Sequence, residues 1–370
     1  MVSCRVLMQT EASKLVMDFL IQANNSLNVG GDPTASDSRL LDIGESIKNI
    51  LMKSSVIYEA IGNSKTVRND NSSRFGKYIK LEYSRDSVLL SAYTETFLLE
   101  QARLVSVGQG ERNYHIFYRL IRGLQRFDGD LASRLQLEKV DHFNILTEGE
   151  CTVIGSEEND VEEFSALVDA MQIIGCSKVE IAKLWELMSV ILHLGNLTFS
   201  LGTEDDGKVD IASAIMSLSS MAAFLGITES DFLRSLTIQR MGASNRSSIH
   251  FKVLTPESAK NNSFALIKWL YRSCFSWIVR KVNSAYGAVS KSTDGASVAK
   301  FIGILDIFGF EILNRNSFEQ LCINFTNERM HQQFNHHVFV LEQTEYEAEA
   351  INWSSVHFRN NQQVNGRMYA

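Results

Sequence analysis

The sequence predicts a helix-rich α/β chain. Three observations carry that expectation. Only two prolines, Pro33 and Pro256, stand in 370 residues, where average usage of about 5% would place roughly eighteen, so long helices can run uninterrupted. Apolar residues recur at helical spacing through much of the chain. Between them, Tyr78–Tyr83 alternates apolar with polar residues, and Phe301–Leu305 is a continuous apolar run closed by Asp306, a pattern typical of a buried parallel strand.

Glu11–Asn24 places Ala12, Val16, Phe19, Leu20 and Ala23 on one helical face, and Asn24–Ser38 is rich in turn formers. A second helix carries Leu40, Ile43, Ile47, Ile50 and Leu51. Tyr78–Tyr83 and Val88–Tyr93 flank the turn Arg85-Asp86-Ser87 and predict a hairpin. Asn113–Leu124 predicts a helix with Ile116, Phe117, Leu120 and Ile121 inward, and Asp160–Ile174 another, stopped at Gly175. Ser177 and Glu180 have capping-box spacing and open a helix through Ile181, Leu184, Trp185, Met188 and Leu192. Thr237–Met241 and Ile249–Leu254 predict a hairpin around a polar tip, Gly242–Ser248. Thr255 as N-cap and Pro256 in the first turn start a long helix toward Val282, with Gly287–Ser297 expected as a surface loop. Ser317 and Gln320 repeat the capping-box spacing before a proline-free pattern that reaches about Ala350, roughly 50 Å of helix at 1.5 Å per residue.

Composition excludes several classes. Lys plus Arg is 36 against 43 for Asp plus Glu, so no basic face for nucleic acid is expected. The five cysteines are odd in number, widely spaced and never in CxxC, which argues against a disulfide framework or zinc site and for a reducing compartment. No stretch reaches 18 apolar residues, and the start lacks the apolar core of a leader peptide. The expectation is a cytoplasmic protein without a membrane segment.

Two constellations could carry chemistry. Asn69 to Lys77 reads NDNSSRFGK and packs amides, hydroxyls and an arginine just ahead of a strand. Phosphate binding asks for such donors, and Mg²⁺ for a hydroxyl. A polar loop capped by Asn and Ser would use the same residues. Asp306-Ile-Phe-Gly309-Phe-Glu311 follows the apolar strand. A carboxylate at a strand's carboxyl end suits a magnesium-linked switch, and Gly309 would let a backbone N–H approach a phosphate oxygen. The alternative is an Asp that caps the next segment and a Gly that turns.

Taken together, the wording resembles one family. NDNSSRFGK is similar to switch I of the myosins, LDIFGFE to their switch II, and NSFEQLCINFTNERMHQQFNHHVFVLEQTEYEAEAINW to their relay helix. TEASKLVMDFL, FLLEQARLV and GERNYHIFYRL add to the likeness, which runs from about Thr10 to Trp353. The resemblance implies a P-loop NTPase-type α/β core with a partial central sheet. Residues 1–353 would be a partial motor domain, with switch I at 69–77, a large helical upper actin-binding region at about 95–298, switch II at 306–311 and the relay helix at about 317–350. Residues 354–370 do not match.

The resemblance also implies roles. ATP and Mg²⁺ would be bound. Ser73 and Thr10 would ligate Mg²⁺, with Asp306 reaching it through water. Ser72 would position the attacking water, Asn69, Asn71 and Lys77 would serve the nucleotide, and the Gly309 N–H would touch the γ-phosphate. Arg74 and Glu311 would form the salt bridge that closes the switches. Residues 239–248 would correspond to a loop touching actin filaments.

The departures are abrupt. Myosins place GESGAGKT before TEASK-like text, whereas Ser3–Gln9 has neither glycine nor lysine, and Thr10 alone remains. Without glycines that loop cannot nest N–H groups around phosphates. No IQ motif for light chains is present, and the text after Trp353 diverges. The expectation is a fragment of an actin-based motor that, when complete, couples ATP binding and hydrolysis to movement on actin filaments, its ends those of a mis-spliced or truncated gene model rather than of an evolved short protein. The alternative is a non-catalytic pseudo-motor that acts only by binding.

Overall fold

The computed structural model describes residues 12–20, 35–85, 87–201, 209–241, 250–290, 298–312 and 316–354. The chain divides into two units, one of Met1–Ala12 with Asp306–Ala370 and one of Ser13–Leu305.

The larger unit begins with helix α1 over 12–20, which buries Met17, and α2 (Ala35–Gly62), which buries Ile43, Ile47, Ile50, Leu51, Ile57 and Ile61. Two short strands, β1 (Asn63–Ser64) and β2 (Ser72–Ser73), pair antiparallel across the intervening loop. The alternation at 78–83 becomes β3 (Gly76–Tyr83), paired antiparallel with β4 (Leu89–Phe97) in the register Gly76↔Phe97. Their inward residues Ile79, Leu81, Leu89 and Ala92 are buried. Helices α3 (His115–Phe127), α4 (Gly129–Arg134), α5 (Asn144–Thr147), α6 (Glu157–Ile173) and α7 (Lys178–Asn196) follow. The capping box of α7 forms as the spacing predicts: the Glu180 N–H donates to Ser177 Oγ at 3.2 Å, and the Ser177 N–H to Glu180 Oε2 at 2.9 Å.

Two further hairpins flank α8 (Leu218–Leu225) and α9 (Glu229–Thr237): β5 (Thr198–Leu201) with β6 (Val209–Ser213), and β7 (Ile238–Met241) with β8 (His250–Val253). The tip expected at 242–248 lies outside the described residues. The longest helix, α10 (Pro256–Ser290), is capped by Thr255, whose Oγ1 accepts from the Ser258 N–H at 3.2 Å.

Helix α10 runs past the end expected near Val282, and Gly287 lies inside it rather than opening a loop. A mid-helix glycine costs only about 1 kcal/mol relative to Ala, while Val282 and Tyr286 anchor the last turns in the core, Tyr286 with its hydroxyl 3.3 Å from Ser54 Oγ. The helix also secures the sheet: the Thr94 N–H donates to Asn283 Oδ1, and Asn283 Nδ2 to the Thr94 carbonyl, both at 2.8 Å.

The apolar run Phe301–Leu305 is a strand, β9 (Lys300–Asp306), joined to β3 in the sheet order β4-β3-β9. It is not the buried strand its text suggests. Phe301, Ile302 and Leu305 are 60%, 38% and 42% exposed. Neighbouring side chains of a strand point to opposite faces, so the exposure of both Phe301 and Ile302 means that neither face is covered there among the described residues, and β9 also stands at the sheet's edge. An exposed apolar edge invites self-association. The chain is expected to bind the dye ANS and to self-associate, and the pair Phe301→Lys with Leu305→Lys to reduce both; unchanged light scattering and dye binding in that variant would count against β9 as the source.

In the smaller unit, Ser317 caps α11 (Phe318–Asn335) with a complete capping box. The helical path continues through a π-helical turn, His336–Leu341, into α12 (Glu342–Ala348). The long proline-free pattern is therefore helical to Ala348, with a π turn that no periodicity signalled.

Two buried histidines set a pH dependence. Burial, then the charges of Arg119, Arg112 and Arg103, hold His115 well below its usual pKa. Burial also lowers that of His193, although its Nε2 sits 3.1 Å from the Leu135 carbonyl. Burial favours the neutral form of both in the folded chain, while the unfolded chain takes up protons below about pH 6.5. Stability therefore falls as pH drops below that value, at up to about 1.4 kcal/mol per pH unit for each group. Urea midpoints between pH 7.5 and 5.5 should show the decline, and His115→Gln should flatten it.

Candidate functional site

Residues 63–77 form the densest set of polar donors that the sequence singled out. The loop between β1 and β2 is shaped from within. The Asn71 N–H donates to Asn69 Oδ1 at 2.9 Å, and Asn69 Nδ2 donates back to the Asn71 carbonyl at 3.3 Å. Asn63 Nδ2 reaches Asn71 Oδ1 at 2.9 Å, and the Asn69 N–H donates to the Thr66 carbonyl at 3.3 Å. These are local turns of the kind Asn favours. Ser73 Oγ donates to the Phe75 carbonyl at 2.9 Å, which leaves its lone pairs to accept or to ligate. Ser72 Oγ accepts from Arg74 Nη1 at 3.3 Å and keeps its own proton to donate. Lys77 is buried.

Beneath the loop lies a buried ionic chain. Glu100 Oε2 accepts from Arg74 Nε and from Arg103 Nε, each at 2.7 Å. Arg103 Nη1 also donates to Glu111 Oε2 at 3.0 Å and to the Arg112 carbonyl at 3.2 Å. Arg112 Nη2 and Arg122 Nη1 converge on Asp160 Oδ2 at 2.9 and 2.6 Å. Burial alone would raise the Glu100 pKa, but the charges of Arg74 and Arg103 and their hydrogen bonds outweigh it and bring it to about 2. Phe75, next to the loop, packs edge-on against Phe275 of α10 with ring centroids 5.1 Å apart. Gly62 makes this fit possible, because a Cβ there would stand 2.2 Å from the Phe75 ring.

Asp306, Gly309 and Glu311 belong to the smaller unit. There the Glu311 N–H donates to Asn324 Oδ1 at 2.8 Å, and Asn324 Nδ2 donates to the Glu311 carbonyl at 2.6 Å. Glu311 is thus clasped to the second turn of α11 by this pair of hydrogen bonds. Thr10 lies outside the described residues, as do residues 242–248 of the segment 239–248.

The structure thus places Asn69 and Asn71 on the loop between β1 and β2, with Ser72 and Ser73 on β2 and Arg74 just after it. Sequence reasoning passed over Glu100, Arg103 and Glu111, whose signal was charged residues set in the matching stretches FLLEQARLV and GERNYHIFYRL. Among the described residues no cluster of three or more His, Cys, Asp or Glu could hold a metal by itself, and no helix is long and apolar enough to cross a membrane.

A family profile described as "Myosin head (motor domain)" matches residues 8–366. Myosin-6 of Arabidopsis thaliana is 36% identical over 357 residues, covering 96% of this chain and 22% of that protein. Myosin-52 of Schizosaccharomyces pombe is 38% identical over 317 residues, covering 86% of this chain and 20% of its own length. Myosin-1 of Saccharomyces cerevisiae is 37% identical over 358 residues, covering 96% and 18%. The chain spans about a fifth of the length of these curated relatives.

Proposed function

Since the chain belongs to the myosin head (motor domain) family, we propose that it supplies the switch segments of an actin-based motor driven by ATP hydrolysis. Members of the family are ATPases that use ATP with Mg²⁺ and bind actin. The observation that supports the reading here is the segment 69–77, in which amide and hydroxyl groups are held on an ordered loop and the short strand that closes it. That donor set fits an anionic ligand with a hard cation.

In this reading Ser73 and Thr10 would hold Mg²⁺, and Asp306 would reach it through water. The cation, when bound, offsets phosphate charge. Ser72 orients the attacking water, Asn69, Asn71 and Lys77 hold the nucleotide, and the Gly309 N–H serves the γ-phosphate. Arg74 and Glu311 carry opposite charges that suit a salt bridge closing the switches. Closure excludes water and fixes the nucleophile, which is most of what phosphoryl transfer requires of a protein. The helix from Phe318 acts as a relay because its Asn324 clasps Glu311. Residues 95–298 carry the upper actin contact, at about 239–248. The location is the actin cytoskeleton.

Ser3–Gln9 lacks the glycines and lysine of a phosphate loop, so the 370-residue chain alone is expected not to bind Mg²⁺–ATP tightly. Labelled-nucleotide titration checks this; micromolar binding would overturn it. The motor reading is tested on the cellular protein, captured with an antibody against residues 317–350. A species well above 41.6 kDa with actin-stimulated ATPase is expected. A 41.6 kDa species without turnover would replace the motor reading with a binding role.

A further inference from the structure

The loop read above as switch I is held at both ends by one buried bracket. At its start, the Val67 N–H donates to Glu111 Oε1 at 3.4 Å and the Arg112 N–H to the Lys65 carbonyl at 3.0 Å. At its end, Arg74 Nε donates to Glu100 Oε2 at 2.7 Å and the Glu100 N–H to the Arg74 carbonyl at 3.0 Å. One residue ties the two ends together. Arg103 reaches Glu100 through Nε at 2.7 Å and Glu111 through Nη1 at 3.0 Å. Arg74, Glu100, Arg103 and Glu111 are 1%, 7%, 4% and 6% exposed, so water does not compete for these bonds.

We propose that Arg103 is a positioning residue for switch I, seating both ends of the loop on the buried ionic chain and so setting the arrangement in which Asn69, Asn71, Ser72 and Ser73 are presented. The proposal rests on the motor reading for its functional meaning, but its geometry stands without nucleotide. The base of the loop is closed by the β1–β2 pairing Asn63↔Ser73 and by the Arg74 N–H, which donates to the Gly62 carbonyl at 2.8 Å. Those bonds fix the width of the base but not how it is seated on the residues beneath. Arg103 reaches the anchors of both ends from below, through two nitrogens of one planar fork. A guanidinium holds two carboxylates in a fixed geometry, and an ammonium does not. Arg103→Lys therefore keeps the charge and discards the bracket. Glu111→Gln breaks the other arm, since one amide cannot both accept from Val67 and offer a charged acceptor to Arg103.

The test is hydrogen–deuterium exchange on the full 370-residue chain without nucleotide, comparing peptides over 63–75 with peptides over α7 and α10. Arg103→Lys is expected to speed exchange over 63–75 by about tenfold or more while α7 and α10 change less than about twofold, because local opening is decoupled from global unfolding. Glu111→Gln should give the same pattern, and serves if Arg103→Lys fails to fold. Ser189→Ala, which removes the hydroxyl bonded to the Leu135 carbonyl at 2.8 Å, is the control for general weakening and should raise exchange without favouring 63–75. Unchanged exchange over 63–75, or an equal rise in every peptide, overturns the proposal. A loop that loosens as expected in a cellular protein with no ATPase would sink the motor reading and leave the bracket intact.

Discussion

Replacing Glu100 with alanine is expected to destabilise the chain by about 3–5 kcal/mol, since it leaves two buried arginines without their shared anion. Arg74 and Arg103 both donate to Glu100 Oε2 at 2.7 Å, and all three side chains are buried. The loss exceeds that of a surface pair, worth about 0–1 kcal/mol, because here neither guanidinium can turn to water. A urea midpoint that falls with an unchanged m-value checks the size. The pH dependence isolates the charge. The folded pKa of Glu100 is lowered to about 2 from a reference of 4.5. A depressed carboxyl stabilises fully above its unfolded pKa, and that contribution is lost as pH falls through the folded one. The window therefore lies between about pH 4.5 and pH 2, and about 3 kcal/mol should disappear across it. Glu100→Gln keeps the shape and loses the charge, so its stability should change less over that window than the parent's. A parent and Glu100→Gln with parallel acid curves would show that the carboxylate is not the source.

Legibility divided by distance along the chain. The capping boxes at Ser177 and Ser317, the Thr255 cap, the β3–β4 and β7–β8 hairpins and the polar loop at 69–77 were all readable, because each is decided by residues a few positions apart. The burial expected of β9 fails because an apolar run says that a strand forms but not what covers it; β4 is an edge too, yet its Leu89 is buried while Phe301 is exposed. The end of α10 was missed because Tyr286 holds its last turns through Ser54, 232 positions away. The ionic chain was invisible for the same reason. Arg74 and Glu100 lie 26 positions apart, and Arg112 and Asp160 lie 48 apart. No local pattern pairs such residues, so the donors of the site could be named while what holds them could not.

Asp160→Ala should also cost about 3–5 kcal/mol, and a second substitution shows why. Asp160 Oδ2 takes both Arg112 Nη2 and Arg122 Nη1. Arg122 retains Glu157 at 2.9 Å and the Thr152 carbonyl at 3.0 Å after the loss. Arg112 does not fare so well. Its side chain is fully buried, its Nε and Nη1 make no hydrogen bond, and what remains is the face of Tyr118, 3.7 Å from its guanidinium carbon. Such stacking is worth only about 1–2 kcal/mol, less than the desolvation of an unpaired cation. Arg112→Met removes that cation but keeps much of its volume. The double variant Arg112→Met with Asp160→Ala is therefore expected to be more stable than Asp160→Ala alone, with a favourable coupling of about 1.5 kcal/mol or more in a double-mutant cycle. Additive losses would mean that the penalty sits with Arg122, and that Asp160 matters for the packing of α6 against α3 rather than for neutralising Arg112.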